Sequence, residues 1–169
     1  FMASNITDHV DDANPMKSIC YLLDNDVIDP NIVSENTLLL AMCIRNYCGW
    51  GTDEARLHKV LNKTSDQSIL NYRDAEGLNI LEIMPLHRIP NDIFVVLFDR
   101  LTEAGVPTTS SFVRNMCMSL KIEQVRRCLD NGVDFSPNLG LDILLFYNTD
   151  KDPDTIRQVI EIVSMLLDY

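Results

Sequence analysis

Basic side chains are scarce in this chain. Its 169 residues include 14 lysines and arginines against 25 aspartates and glutamates, a formal net charge of -11 at pH 7. Binding to a phosphate backbone or an anionic lipid surface requires basic side chains that displace counterions. The shortage therefore argues against nucleic acid and against a membrane as partners.

Long apolar runs are also missing, because no stretch approaches the ~18 consecutive apolar residues of a membrane-spanning helix. The five cysteines are an odd number, and most of them lie among apolar neighbours, where a thiol behaves as a small hydrophobic group. We therefore expect a reducing compartment and a cytoplasmic protein. Asn-X-Thr triplets at Asn5 and Asn62 leave glycosylation open.

Residues suited to catalysis or cofactor binding are few. His9, His58 and His87 are the only histidines, and none indicates a base beside a nucleophile. Cys43 and Cys48 have no second ligand pair at the spacing of a zinc site. No glycine cluster has the spacing of a phosphate-binding loop, and no acidic run has that of a calcium loop. We expect no enzyme activity, no cofactor and no metal.

Apolar residues recur at helical spacing in five longer segments, each with a shorter apolar segment ahead of it. The longer helices are predicted at 16–23, 52–61, 93–101, 122–129 and from 152 to 169. The shorter segments are the chain start, 38–47, 80–84, 112–119 and 141–147. Asp152, Pro153 and Asp154 are typical of a helix start, and Gly105 and Gly132 stand where glycine ends a helix. The pattern predicts an all-α fold of about five helix pairs.

Two of these helices carry a specific burial prediction. Segment 93–101 is apolar at nearly every position, so we expect an interior helix with neighbours on two sides. In the last helix, six apolar residues form one stripe that is expected to face the core: Ile156, Val159, Ile160, Val163, Leu166 and Leu167.

The segment 71–81, NYRDAEGLNIL, followed by an apolar helix and a glycine stop at Gly105, resembles an ankyrin repeat. Asp74, Glu76, Gly77 and Leu81 fall where that repeat has its turn acid, second acid, turn glycine and buried leucine. Segments 22–31, 128–134 and 165–169 resemble the closing part of the repeat. The resemblance covers nearly the whole chain and implies a helical repeat solenoid, with approximate repeats at 1–33, 34–72, 73–107, 108–136 and 137–169.

Some positions depart from the ankyrin pattern. Asn79 stands where threonine is usual, Glu82 replaces a histidine, and Pro85 interrupts the first helix of the repeat. The usual hydrogen-bond network of the repeat therefore lacks its usual residues. Degenerate repeats with lengthened loops are similar in style to the divergent ankyrin proteins of poxviruses. The chain ends inside a closing helix, so we expect it to be part of a longer protein.

The resemblance implies a non-catalytic protein-protein interaction module that acts in the host cytoplasm. Its partner would be a host defence or regulatory protein, and ubiquitin-ligase components could join through a segment not seen here. A projecting loop with Tyr47 and Trp50 has rigid aromatic anchors. Turn tips and inner helices form the concave surface of ankyrin proteins, so seven partner-binding residues are predicted: Tyr47, Trp50, Arg73, Glu76, Asn79, Asn138 and Leu139.

Two other functional classes stay open at this stage. One is a compact helical bundle, of the apoptosis-modulator type, in which segment 93–101 is a central helix beside a groove for an amphipathic peptide. The other is an enzyme whose site has no recognisable spacing.

Overall fold

The computed structural model describes residues 15–34, 36–47, 54–148 and 152–169. Helices make up nearly all of the regular structure within these ranges. They are α1 (Pro15–Asp24), α2 (Leu39–Arg45), α3 (Glu54–Lys63), α4 (Asp66–Asn71), α5 (Asn91–Glu103), α6 (Ser110–Met118), α7 (Ile122–Asp130), α8 (Leu139–Phe146) and α9 (Pro153–Asp168). The prediction of a mainly helical, all-α fold is confirmed.

Several predicted helix ends are also confirmed. The carboxylate of Asp152 accepts a hydrogen bond of 3.0 Å from the backbone N–H of Thr155, and Pro153 is the first residue of α9. Gly105 follows α5 with φ +87°, and Gly132 follows α7 with φ +72°. Both glycines adopt the left-handed conformation that stops a helix at low cost. The predicted start of α3 at Thr52 lies outside the described residues.

The structure contains two elements that the periodicity did not predict. Strands β1 (Val33–Ser34) and β2 (Thr37–Leu38) pair in an antiparallel hairpin, with Asn36 at φ +58° in the turn. Helix α4 begins after Ser65, whose hydroxyl accepts a 3.2 Å hydrogen bond from the backbone N–H of Ser68. Both elements are short, and short elements give little periodic signal.

The helix predicted at 80–84 is wrong, because this segment forms turns rather than an α-helix. Pro85 explains the difference, since proline has no N–H to donate and disfavours a helical conformation of the preceding residue, Met84. The predicted burial of Leu81 is confirmed, and Ile80 beside it is also fully buried.

The helices pack in the order in which they occur in the chain. α6 packs against α7 and α8 against α9, while α6 also contacts α8 and α7 contacts α9. Nearer the amino terminus, α3 packs against both α1 and α2. The buried side chains of all these elements form one continuous hydrophobic core.

Helix α5 is less enclosed than its sequence predicts. Five of its side chains are buried: Ile93, Phe94, Leu97, Phe98 and Leu101. The ring of Phe98 lies 5.9 Å from that of Phe94 and 6.2 Å from that of Phe112 in α6. Val96 is 37% exposed, so one side of α5 faces solvent. Among the described helices, none is both long and apolar enough to cross a membrane.

Candidate partner-binding surfaces

The turn at 73–78 is fixed by the side chain of Asp74. Its Oδ1 atom accepts hydrogen bonds from the backbone N–H groups of Glu76 at 3.0 Å and Leu78 at 2.8 Å. The backbone N–H of Gly77 donates to the carbonyl of Asp74 at 3.0 Å, and Gly77 has φ +82°. Short polar side chains that bond their own backbone favour tight turns, and glycine supplies the positive φ. The tip of this turn is therefore held rigidly at the surface.

Asp74 also connects this turn to α2. Its carboxylate is 3% exposed and accepts a hydrogen bond from the guanidinium of Arg45, whose side chain is 46% exposed. Burial on its own raises the pKa of Asp74, but the backbone hydrogen bonds from Leu78 and Glu76 and the charge of Arg45 outweigh it and lower the pKa. The carboxylate is therefore ionised at neutral pH, and it orients Arg45.

Asn79 and Glu82, the two departures from the ankyrin pattern noted above, form a second network. The side-chain oxygen of Asn79 accepts hydrogen bonds from the backbone N–H groups of Leu81 at 2.9 Å and Glu82 at 3.1 Å. The carboxylate of Glu82 accepts one from the backbone N–H of Asn79 at 2.9 Å and one from the hydroxyl of Thr109 at 2.7 Å. Asn79 and Glu82 thus bond each other reciprocally, as in a capping box but around a turn, and Glu82 also reaches the start of α6. The two departures from the pattern therefore form a complete network.

An open groove lies between segment 27–34 and α2. Its volume is about 800 Å³, and most of its lining side chains are apolar. The lining includes Val27, Ile32 and Met42, with Arg45 and Tyr72 also contributing. Val27 and Ile32 are 64% and 63% exposed. The groove is therefore an accessible apolar surface next to the guanidinium that Asp74 orients.

The residues predicted to bind a partner differ in their exposure. Arg73, Glu76 and Asn138 are exposed, and Tyr47 is partly buried against the core. The guanidinium of Arg73 donates to the backbone carbonyls of Leu70 and Tyr72. Trp50 lies outside the described residues.

Two of the predicted residues need correction. Asn79 is 2% exposed because its side chain is used by the capping network, and Leu139 is 1% exposed because it packs in the core. Neither side chain is available for contact with a partner. For the exposed residues, a role in binding stays a prediction.

Among the described residues, eight of the exposed apolar side chains are close in sequence and were not predicted as a site. They lie on α8, α9 and the following residue, and we call them the C-terminal face: Leu141, Leu144, Leu145, Phe146, Ile156, Ile160, Leu167 and Tyr169. Their exposed fractions run from 41% for Ile156 to 79% for Leu167. Soluble monomers rarely expose an apolar group of this kind unless it serves an interaction.

The apolar stripe predicted for α9 is divided in the structure. Of its six residues, Val159 and Leu166 are buried and Val163 is partly buried, whereas Ile156, Ile160 and Leu167 are exposed. The expectation that the whole stripe faces the core is therefore wrong, since α7 and α8 cover only part of it. The sequence carried a signal for this, because a helix that is apolar over more than one side needs more than one covering surface.

Two ion pairs and one hydrogen bond connect α8, α9 and Tyr169 to the preceding helices. The guanidinium of Arg126 in α7 lies 2.9 Å from the carboxylate of Glu161 in α9. That of Arg114 in α6 lies 3.5 Å from the carboxylate of Asp142 in α8. The hydroxyl of Tyr169 donates to the carboxylate of Asp130.

The described residues offer little reactive chemistry. Within them, no group of three or more histidine, cysteine, aspartate or glutamate side chains is placed to hold a metal ion. Burial raises the pKa of the Cys43 and Cys117 thiols to about 12 and that of Cys128 to about 11. These thiols are protonated at neutral pH, and a thiol is a far weaker nucleophile than a thiolate.

No protein-family model, characterised protein or solved structure matches this chain. The ankyrin resemblance therefore depends on a few residues, among them Asp74, Gly77 and Leu81.

Proposed function

We propose that this chain is a non-catalytic protein-binding module, built as a stack of ankyrin-like helix pairs, that holds a partner protein against its C-terminal face. The observation that carries the proposal is the concentration of exposed apolar side chains on α8 and α9. Large exposed apolar groups on otherwise charged proteins typically mark interaction sites. The net charge of -11 keeps such a molecule in solution while this face stays open.

The order of helix packing supports the stack. The pair α6–α7 contacts the pair α8–α9 helix by helix, first with first and second with second. Hydrogen bonds also connect the segment that follows the turn at 73–78 to the start of α6. The side-chain amide of Asn79 donates to the carbonyl of Pro107, and the hydroxyl of Thr109 donates to the carboxylate of Glu82. Each unit then contacts its neighbours in sequence, as repeat stacks do.

A stack also explains why the C-terminal face carries exposed apolar side chains. A helix pair inside a stack is covered on two sides, and α9 carries apolar side chains on two sides. One side is covered by α7, and the other is the exposed stripe Ile156, Ile160 and Leu167. Burying apolar surface contributes about 25 cal/mol of favourable free energy for each Å² removed from water, so a partner that covers this stripe would be bound favourably. A helical segment of a partner protein has the shape to cover it.

The compact-bundle alternative has less support. It requires segment 93–101 to be a central helix wrapped by the others, but Val96 is 37% exposed. The partner class is a proposal from the resemblance alone, which implies a host defence or regulatory protein and, through a further segment, ubiquitin-ligase components.

The proposal can be tested by capture from mammalian cytosolic extract with four forms of the protein as bait. These are the wild type, Ile160→Glu on the C-terminal face, Gln158→Glu on the exposed polar side of α9, and Arg73→Glu at the turn. Both α9 positions are exposed and both variants gain one negative charge. Mass spectrometry then identifies the proteins that each bait retains.

We expect one or more proteins to be retained by the wild type and by Gln158→Glu and to be lost with Ile160→Glu. Loss with Arg73→Glu as well would extend the interface to the turn at 73–78. Equal retention by all four baits, or retention of nothing, would contradict binding through this face. Circular dichroism of each variant confirms that it is folded.

A further inference from the structure

We propose that Met16, Cys20 and Cys43 form a binding site for one soft monovalent metal ion, copper(I). These three side chains, which we call the sulfur cluster, lie on α1 and α2, whereas the C-terminal face lies on α8 and α9. The inference is therefore independent of the proposed function. The spacing considered for Cys43 and Cys48 could not indicate this cluster, because its residues come from two helices and include a methionine.

Helices α1 and α2 bring the three sulfur atoms together. The thiol of Cys43 in α2 donates a hydrogen bond to the thioether of Met16 in α1, with 3.5 Å between the two sulfur atoms. Met16 and Cys20 are four residues apart in α1, so their side chains are neighbours on one face of that helix. Burial raises the pKa of Cys43 to about 12, and Cys20 raises it further, which places these two thiols near each other as well.

The distance between the sulfur atoms of Met16 and Cys43 suits two ligands of one ion. Two sulfur ligands about 2.3 Å from a metal ion, at an angle near the tetrahedral value, lie about 3.8 Å apart. The observed 3.5 Å is close to this distance, so a small movement of either side chain is enough. Methionine is suited to such a movement, because it is unbranched and has three rotatable bonds.

The types of ligand select the ion. Soft thiolate and thioether sulfur atoms favour copper(I). Structural zinc sites almost always have four ligands, which are cysteine, histidine and acidic side chains rather than methionine. Met16 and Cys43 are 0% exposed and Cys20 is 9% exposed. An ion held among them is shielded from water, and apolar surroundings of this kind control both solvent access and the redox potential of a metal.

Binding requires that the two thiols lose their protons. A thiol binds a metal ion as the thiolate, so one copper(I) ion displaces two protons into solvent, and no electron is transferred. Two thiolates, one thioether and copper(I) together carry one negative charge. The pKa of Lys59 is raised by its hydrogen bond to Asp24 and, to a smaller extent, by the charges of Asp24 and Cys20. An ammonium group therefore lies near Cys20, and it lowers the free-energy cost of that charge.

The test measures copper(I) binding to the reduced protein in the absence of oxygen, in competition with the coloured chelator bicinchoninate. Cys43→Ala removes one thiol, and Met16→Leu removes the thioether while it nearly conserves the side-chain volume. The matched controls are Cys128→Ala and Met116→Leu, which make the same changes at buried positions of α7 and α6. Circular dichroism without metal confirms that each variant is folded.

We expect the wild type to take one copper(I) ion from the chelator. Changes to residues that only support a metal ligand cost about 10- to 100-fold in affinity, so the loss of a ligand in Cys43→Ala should cost at least about 100-fold. Met16→Leu should weaken binding by about tenfold, and X-ray absorption at the copper edge should show two sulfur ligands instead of three. Cys128→Ala and Met116→Leu should bind copper(I) as the wild type does.

Three results would overturn the proposal. The first is a wild-type protein that takes no copper(I) from the chelator. The second is an equal loss of affinity with Cys43→Ala and Cys128→Ala, which would show binding to buried thiols in general. The third is an unchanged affinity and sulfur count in Met16→Leu, which would exclude the thioether as a ligand. If Cys43→Ala does not fold, the comparison of Met16→Leu with Met116→Leu still decides the outcome.

Discussion

Asn79 donates a hydrogen bond from its side-chain amide to the backbone carbonyl of Pro107, with 3.0 Å between the two atoms. The same side chain accepts from the backbone N–H groups of Leu81 and Glu82. One buried amide thus caps a turn and links it to the segment that leads into α6. The link joins residues 28 positions apart.

The first prediction concerns this amide. Asn79→Ala leaves three backbone groups without their partner in a buried place, and we expect it to lower the free energy of unfolding by about 2 kcal/mol. Asn79→Thr keeps an acceptor for the turn but loses the bond to Pro107, so a loss of about 1 kcal/mol is expected. Urea unfolding measures both values. A threonine variant as unstable as the alanine variant would show that the link to Pro107 carries the whole effect.

The second prediction concerns Asp74 and pH. Because the pKa of its buried carboxyl is lowered in the folded protein, Asp74 contributes stability above the pKa of the unfolded chain, and this contribution is lost as pH falls through the lower, folded pKa. We therefore expect stability to fall below about pH 4 more steeply in the wild type than in Asp74→Asn. Urea unfolding across pH values from neutral to strongly acidic compares the two. Parallel curves would mean that Asp74 does not contribute to this dependence.

The third prediction compares two glycines. Gly132 has φ +72°, and a Cβ atom at this position would meet no heavy atom within 4 Å. Gly132→Ala should therefore lower the free energy of unfolding by about 1 kcal/mol, through backbone strain alone. Gly140 lies inside α8, and its built Cβ atom would meet Val163 at an ordinary contact distance of 3.8 Å. Gly140→Ala should therefore be neutral or raise stability by up to about 1 kcal/mol. Thermal unfolding of the two variants checks the opposite signs.

The fourth prediction concerns the buried thiols. Burial raises the pKa values of Cys43, Cys117 and Cys128 well above neutral pH, so few thiolates form and access is blocked. We expect these three cysteines to resist an alkylating reagent at pH 8 in the native protein and to react fully in guanidinium chloride. Peptide mapping assigns each site. Rapid native labelling of Cys117, which lies in α6, would contradict the packing of α6 and α7 described above.

Features of local sequence could be predicted, and features that depend on distant residues could not. The start of α9 followed from Asp152 and Pro153, and the end of α7 followed from Gly132, since each signal lies within a few residues of the structure it determines. The pairing of Arg45 with Asp74 joins residues 29 positions apart, and nothing in the local pattern indicates it.

The candidate binding surface also depends on distant residues, and it could be predicted only in part. Periodicity identified Ile156 and Ile160 as apolar positions on a helix, but it could not tell which neighbours would cover them. Asn79 and Leu139 were predicted as contact residues from their place in the repeat, and both are buried. Assigning a contact residue requires knowing which side of each element its neighbours leave open, and that depends on the packing of the whole chain.

The central claim is that a partner protein packs on the exposed stripe of α9. The most direct measurement places a photo-crosslinking amino acid at position 160 or, in a matched protein, at position 158 on the exposed polar side of the same helix. After irradiation in cytosolic extract, we expect a discrete crosslinked partner from position 160 and little or none from position 158. Equal crosslinking from the two positions, or none from position 160, would contradict the assignment of the C-terminal face as the binding surface.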